Sequence, residues 1–176
     1  HRKMDRLIEV AGRAKMPIVL FAEGGGGRPN DDDVAPLMAA WLNVTSFRHF
    51  AAHTGPKIGI LAGYCFAGNA ALFGVCDVRI ATRDSWIGMG GPAMIEGGGL
   101  GRVAPNEIGP SDTQVKTGVI DLRTQDEAEA VAAAKLLLGL PEPASDYQPV
   151  DTDLRHIVPT DRQEAYDMRA ALTGIA

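Results

Sequence analysis

Short apolar runs alternate with amphipathic stretches along this chain. Arg2 to Ala14 carries Met4, Leu7, Ile8 and Ala11 at the spacing that lines one face of a helix. Pro17 to Ala22 is a brief apolar run rich in branched residues, the pattern of a strand buried on both faces. Asp31-Asp32-Asp33 suits a helix N-terminus, so a helical region is expected from Val34 to His53, broken near Asn43. Pro56 to Leu61 predicts a second strand, Gly68 to Val75 a helix, and Val78 to Ala81 a third strand. Trp86 to Met89 reads as a further short strand before a glycine-rich, loop-like stretch to about Pro110. Thr124-Gln125-Asp126-Glu127 has the form of a capping box ahead of a helix over Ala128 to Leu138. Alternating strands and helices predict an α/β fold, a parallel sheet flanked by helices.

Beyond Gly139 the texture changes. Leu140 to Tyr147 and Val150 to Asp153 are rich in Pro, Asp and Ser, which marks loop or linker. The expected organisation is one domain over residues 1–140 and a linker or extension over 141–176. The sequence shows no internal repeat.

Composition narrows the class. With 176 residues the chain fits a single domain and can bury roughly 70% of its unfolded surface. Its 45% hydrophobic and 22% charged content excludes a disordered or collagen-like chain. A net charge of −5 argues against broad nucleic-acid binding. There is no apolar run near membrane-spanning length and no signal peptide, so no membrane partner is expected. Cys65 and Cys76 lie in or beside apolar stretches without metal-site spacing, which fits free thiols in the cytoplasm. His1, His49, His53 and His156 likewise show no ligand spacing, so no metal is expected. The chain opens at His1 without a methionine, which suggests a fragment.

Two strand ends carry the candidate chemistry. The first run passes at once into Glu23-Gly24-Gly25-Gly26-Gly27-Arg28, and the second into Gly63-Tyr64-Cys65-Phe66-Ala67-Gly68. Consecutive glycines cost backbone entropy and let bare amides approach a ligand. The first N–H groups of the helix that opens at Gly68 have no partner inside that helix, and its dipole adds to them. In a parallel sheet both turns open at the same carboxyl edge, where α/β folds bind ligands. Such a pair of turns suits an oxyanion; a tightly packed strand–helix corner is the structural alternative.

Pro56 to Thr82, with Ala67-Gly68 at the turn and Cys76 to Ala81 after it, resembles the core of the crotonase superfamily. Gly24 to Arg28, Gly63 to Gly68, Met89-Gly90-Gly91-Pro92-Ala93 and Gln163 to Arg169 together resemble one branch of it. That branch is the carboxyltransferase subunit of biotin-dependent acyl-CoA carboxylases. The resemblance implies a crotonase-like ββα superhelix, incomplete at both ends, leading toward a second domain. It implies transfer of carboxylate from carboxybiotin on a carrier protein to the α-carbon of an acyl-CoA, with biotin as the base. The partners it implies are a biotin carboxyl carrier or biotin carboxylase subunit and further copies of the same chain.

On that resemblance, the amides of Ala67 and Gly68 hold the thioester enolate oxygen, and Gly25, Gly26 and Gly27 line the same pocket. Ala67 departs from the family's Gly-Gly pair, but its amide remains a donor if φ stays negative. Arg28 aligns with a motif arginine that either holds the loop or meets the ligand. Lys3, Arg6 and Arg13 are candidates for CoA phosphates, with a solvated helix face as the alternative. A hydratase of the superfamily would need glutamates near Ala71 and near Gly90 or Gly91, where none stands. No nucleophile elbow, Walker A or dinucleotide fingerprint occurs. The second reading is a non-catalytic, CoA-binding or subunit-scaffold fragment. On either reading the isolated chain is expected to be inactive.

Overall fold

A computed structural model describes residues 1–26, 44–140 and 156–173. It divides into two compact units, His1–Gly139 and Leu140–Ala176. In the first unit α1 (Arg2–Arg13), β1 (Ile18–Phe21), α2 (Ser46–Ala52), β2 (Lys57–Leu61), β3 (Tyr64–Phe66) and α3 (Gly68–Gly74) follow in order. Next come β4 (Val78–Thr82), β5 (Trp86–Gly88), α4 (Pro92–Gly97), a 3-10 turn (Pro105–Glu107), α5 (Ser111–Lys116), β6 (Leu122–Thr124) and α6 (Glu127–Leu138). The second unit holds α7 (Met168–Thr173), where the Asp167 carboxylate accepts the Arg169 N–H at 3.0 Å.

Four strands form one parallel sheet in the order β1-β2-β4-β6. β1 and β2 are parallel neighbours, as their paired apolar runs predict, with Ile18 opposite Lys57 and Phe21 opposite Ile60. A second, smaller sheet pairs β3 with β5, also parallel, and Gly24 joins it through a bridge to Cys65. The chain therefore repeats one move. β1 leads to the Gly24 bridge, β2 to β3 and β4 to β5, each time from the large sheet into the small one. In the sequence this repeat leaves only the glycines that follow each strand.

Strand periodicity explains how both faces of the large sheet are covered. Ile58, Ile60 and Ile80 point to one side and pack on Ala130 and Ala134 of α6. The small alanines let that helix lie close. Leu61 and Ala81 face the other way, onto Phe73 and Ala70 of α3. Phe73 is fully buried, a burial worth about 1.5–3 kcal/mol. Its ring lies over Gly59, where an added Cβ would come within 2.7 Å of Cδ2. Ile8, Phe50, Leu72 and Cys76 form a third cluster, which fastens α1 and α2 to the sheet.

Several expectations change. β1 is not buried on both faces: Val19 and Phe21 are 37% and 58% exposed, because β1 ends the sheet order and α6 packs over β2, β4 and β6 instead. Leu7 is 69% exposed, since Ile8 and Ala11 take the inward face of α1. The capping box sits two residues later than the sequence pattern suggests. Asp126 is the cap and accepts the Glu129 N–H at 2.9 Å, while Glu129 accepts the Gln125 N–H at 2.6 Å. Thr124 belongs to β6, whose hydrogen bonds to β4 outweigh its capping role. The glycine-rich stretch before Pro110 contains α4, started by Pro92 at a helix N-terminus, where its missing N–H is not needed. The expected Asp31–Asp33 cap lies outside the described residues, and α2 begins at Ser46.

Candidate functional site

The carboxyl ends of β1, β2 and β4 carry the glycine junctions, and the small sheet draws them together. Gly24 donates to Tyr64 O at 2.7 Å and accepts from Phe66 N–H at 2.9 Å. An added Cβ at Gly24 would meet Asn69 Nδ2 at 1.7 Å, so any side chain there would have to displace the Asn69 amide. Gly26, at φ +80°, rests against Ala67 and Phe66, and a Cβ there would lie 3.5 Å from each of their Cβ atoms. Gly91 is buried, and a Cβ on it would stand 3.2 Å from Gly25 O. Gly25, Gly26, Ala67, Gly68 and Gly91 thus form one cluster.

Within it the two proposed amides are not equivalent. The β3 ladder runs from Phe66 N–H to Gly24 O, then from Ala67 N–H to Gly88 O at 3.1 Å. The Ala67 amide is engaged by its own sheet. Its φ of +56° and ψ of −122° also break the condition of negative φ under which its donor role was expected. The turn at Ala67 takes the chain out of the strand and into α3. Gly68 N–H, the next in line, has no acceptor among the described residues, and Gly68 is exposed. The Phe47 ring of α2 stands close, with Cζ 3.2 Å from a Cβ placed on Gly68. Gly27 and Arg28 lie outside the described residues.

The neighbouring side chains have structural tasks. Glu23 Oε1 accepts the Ala62 N–H at 3.2 Å and so terminates β2. Cys65 is buried under the small sheet; desolvation, then the Glu23 charge, push its thiol up to about 12. Arg6 pairs with Glu9 at 3.1 Å on the solvent side of α1, and Lys3 is exposed on the same helix. Arg6 borders a cavity of about 560 Å³ between α1 and α2, lined also by Asp5, His49 and His53. None of its lining residues belongs to the glycine cluster. No group of His, Cys, Asp and Glu among the described residues is arranged to hold a metal ion.

Asn69, Phe47 and Gly88 were not foreseen. Gly88 and Gly91 repeat the strand-then-glycine pattern of the other two junctions, which was the available signal. Phe47 reaches Gly68 from a separate helix, and no local pattern announces that contact.

Parallel strands that pass repeatedly from a large sheet into a small one, with bare amides at their ends, define an α/β fold of the crotonase type. The chain belongs to the carboxyl transferase domain family, whose model matches residues 1–176. It is 31% identical over 150 residues to the acetyl-coenzyme A carboxylase carboxyl transferase subunit beta 1 of Roseiflexus castenholzii (strain DSM 13941 / HLO8), covering 83% of this chain and 50% of that protein. It is 29% identical over 185 residues to the methylmalonyl-CoA carboxyltransferase 12S subunit of Propionibacterium freudenreichii subsp. shermanii, covering 98% and 35%. Among solved structures, a single-chain, multi-domain long-chain acyl-CoA carboxylase matches with a TM-score of 0.71 and 48% identity, over 99% of this chain and 17% of that one. The transcarboxylase 12S hexamer matches with a TM-score of 0.65 and 26% identity, over 97% and 36%. The chain thus spans half or less of the length of these relatives.

Proposed function

We propose that this chain supplies the acyl-CoA-facing part of a carboxyltransferase site in a biotin-dependent acyl-CoA carboxylase. The observation that carries the reading is the Gly68 N–H, which has no acceptor among the described residues and directly follows Ala67, the residue beside Gly26 of the first loop. Deprotonating the α-carbon of a thioester moves charge onto the carbonyl oxygen. Preorganised N–H donors stabilise that oxygen, and losing one typically costs about 3–4 kcal/mol. Gly68 provides one donor, and an amide of the Gly25–Gly27 loop provides the second. Ala67 forms the corner between them, in place of the donor role expected from the sequence.

Carboxybiotin, brought by a carrier protein, supplies the carboxyl group when bound. The residues around the glycine cluster fit that division of labour, since the Glu23 carboxylate is committed to a backbone amide. Lys3, Arg6 and Arg28 are proposed contacts for the phosphates of CoA. Residues 1–140 then form part of an amino-terminal carboxyltransferase domain, and 141–176 lead toward a second one. Homo-oligomeric assembly of the whole enzyme is proposed by analogy with the hexamer described for transcarboxylase 12S.

Calorimetry with acetyl-CoA and with CoA tests the reading. The chain should bind acetyl-CoA more tightly than CoA, because only the thioester offers an oxygen to the amides. Equal affinity for the two, or no binding of either, refutes it. The isolated chain should show no transfer from carboxybiotin; measured turnover would overturn its assignment as half a site.

A further inference from the structure

The cavity between α1 and α2 has an unused polar atom in its wall. His53, only 7% exposed, directs Nε2 at Met16 O, 3.0 Å away. A carbonyl only accepts, so Nε2 carries the proton and Nδ1 of the neutral ring is left as an acceptor. No donor meets this Nδ1 among the described residues. Among them, too, no side-chain nitrogen or oxygen sealed from solvent lacks a partner, so Nδ1 is reached from the cavity that His53 lines. It borders the space over Gly12. A Cβ placed on that glycine would meet nothing within 4 Å except Nδ1, at 3.9 Å, so the space is open.

The rest of the wall sets what can enter. Its formal charges cancel, Arg2 and Arg6 against Asp5 and Glu9. Asp5 is taken by Thr45 and His49 at 2.7 and 3.0 Å, and Glu9 by Arg6 and Arg13 at 3.1 and 3.2 Å. Balanced and paired charges favour an uncharged guest, and Ile8, Gly12 and Ala52 give it an apolar lining. At about 560 Å³ the cavity has the size of a small-molecule site.

We propose that this cavity binds an uncharged cyclic urea, the ureido ring of biotin that carries no carboxyl group. One ureido N–H donates to His53 Nδ1, the hydrocarbon lies against Ile8 and Ala52, and the exposed Thr54 supplies a hydroxyl for the urea carbonyl. The choice of biotin rests on the proposed function, which brings that ring to the protein on a carrier. Carboxylation replaces one ureido N–H by an anionic group, so the cavity suits the ring after transfer. None of its walls belongs to the glycine cluster, which makes it a second, waiting site.

Ligand-observed NMR titration of this chain with biotin amide tests the proposal. Biotin amide should bind, and methylation of both ureido nitrogens should weaken it roughly 3- to 10-fold, the span of one lost hydrogen bond. Gly12→Leu fills the open space, leaves the bond from His53 to Met16 in place and favours the helix more than glycine does. It should reduce affinity for biotin amide by roughly 10-fold or more without lowering the thermal midpoint. No binding of biotin amide, equal binding of its methylated form, or unchanged affinity in Gly12→Leu overturns the second site. The preference for acetyl-CoA over CoA is read separately and should be the same in Gly12→Leu as in the parent chain. Its absence from the parent chain would refute the proposed function itself.

Discussion

The two ends of the parallel sheet are built from opposite materials. At the amino edge the starts of the two central strands, β2 and β4, are each tied by a carboxylate. Asp77 Oδ2 accepts the Lys57 N–H at 2.7 Å and pairs with Lys57 Nζ at 3.2 Å, while its own N–H returns to Lys57 O at 2.8 Å. Asp121 repeats the device on Arg79, accepting N–H and Nε at 2.8 Å each, with Nη2 on its second oxygen. At the carboxyl edge the Glu23 carboxylate ties the Ala62 N–H, but the turns beyond it are made of small residues, with Gly25, Gly26 and Gly68 exposed. Register is fixed by side chains at one end, while exposed glycines stand at the other.

The sharpest way to break this comparison is Gly68→Pro in the full-length enzyme. Proline is tolerated at the first position of a helix but removes the N–H. Transfer should fall by roughly 10²–10³-fold. Gly68→Ala is the matched control, because it adds a Cβ against Phe47 yet keeps the donor, and it should retain most activity. Equal losses in the two variants would mean that packing, and not the amide, matters.

Asp121→Ala attacks the opposite edge. It removes a bidentate partner and a backbone acceptor, which should lower stability by about 1–3 kcal/mol in urea unfolding. The preference for acetyl-CoA over CoA should not change. A loss of preference at unchanged stability would show that the edges are not separate.

Acid sharpens the same point. Burial tends to raise the Asp121 pKa, but its hydrogen bonds to Arg79 and the guanidinium charge prevail and hold it below the usual 3.8. A depressed carboxylate contributes stability above its unfolded pKa and loses it as pH falls through the folded value. The stability gap between the parent chain and Asp121→Asn should therefore be constant above about pH 5 and close below pH 4. A gap that widens in acid would refute the sign.

Glu23→Gln should cost far less than the roughly 10²–10⁴-fold expected for loss of a general base, since this carboxylate serves the Ala62 amide. The smallest effect is at the thiols. Burial raises Cys65 to about 12 and Cys76 to about 11, so alkylation at pH 8 should be negligible until the protein is unfolded. Rapid native labelling would contradict their place in the core.

The sequence displayed the large sheet better than the small one. Branched runs at residues 17–22 and 56–61 show where β1 and β2 lie; burial accounts for the second, whose five residues are all buried, while β1 keeps its apolar run with Val19 and Phe21 exposed. The strands missed were β3 of the small sheet and β6 at the edge of the large one, three residues each, and they exist because of distant pairings, Cys65 with Ile87 and Leu122 with Ile80. The glycine junctions were legible for the same reason as the long strands: composition announces bare backbone. The state of the Ala67 amide was not. It depends on Gly88, twenty-one residues on, and nothing near position 67 encodes that acceptor.

The contact between Phe73 and Gly59 reaches further than the core it fills. A Cβ at position 59 would collide with the ring and crowd Cys76 Sγ at 3.1 Å, so α3 keeps its present height above the sheet only while that strand position lacks a side chain. Gly68 opens the same helix. The depth at which its N–H stands at the carboxyl edge is thus adjustable from beneath, by a single interior methyl at position 59.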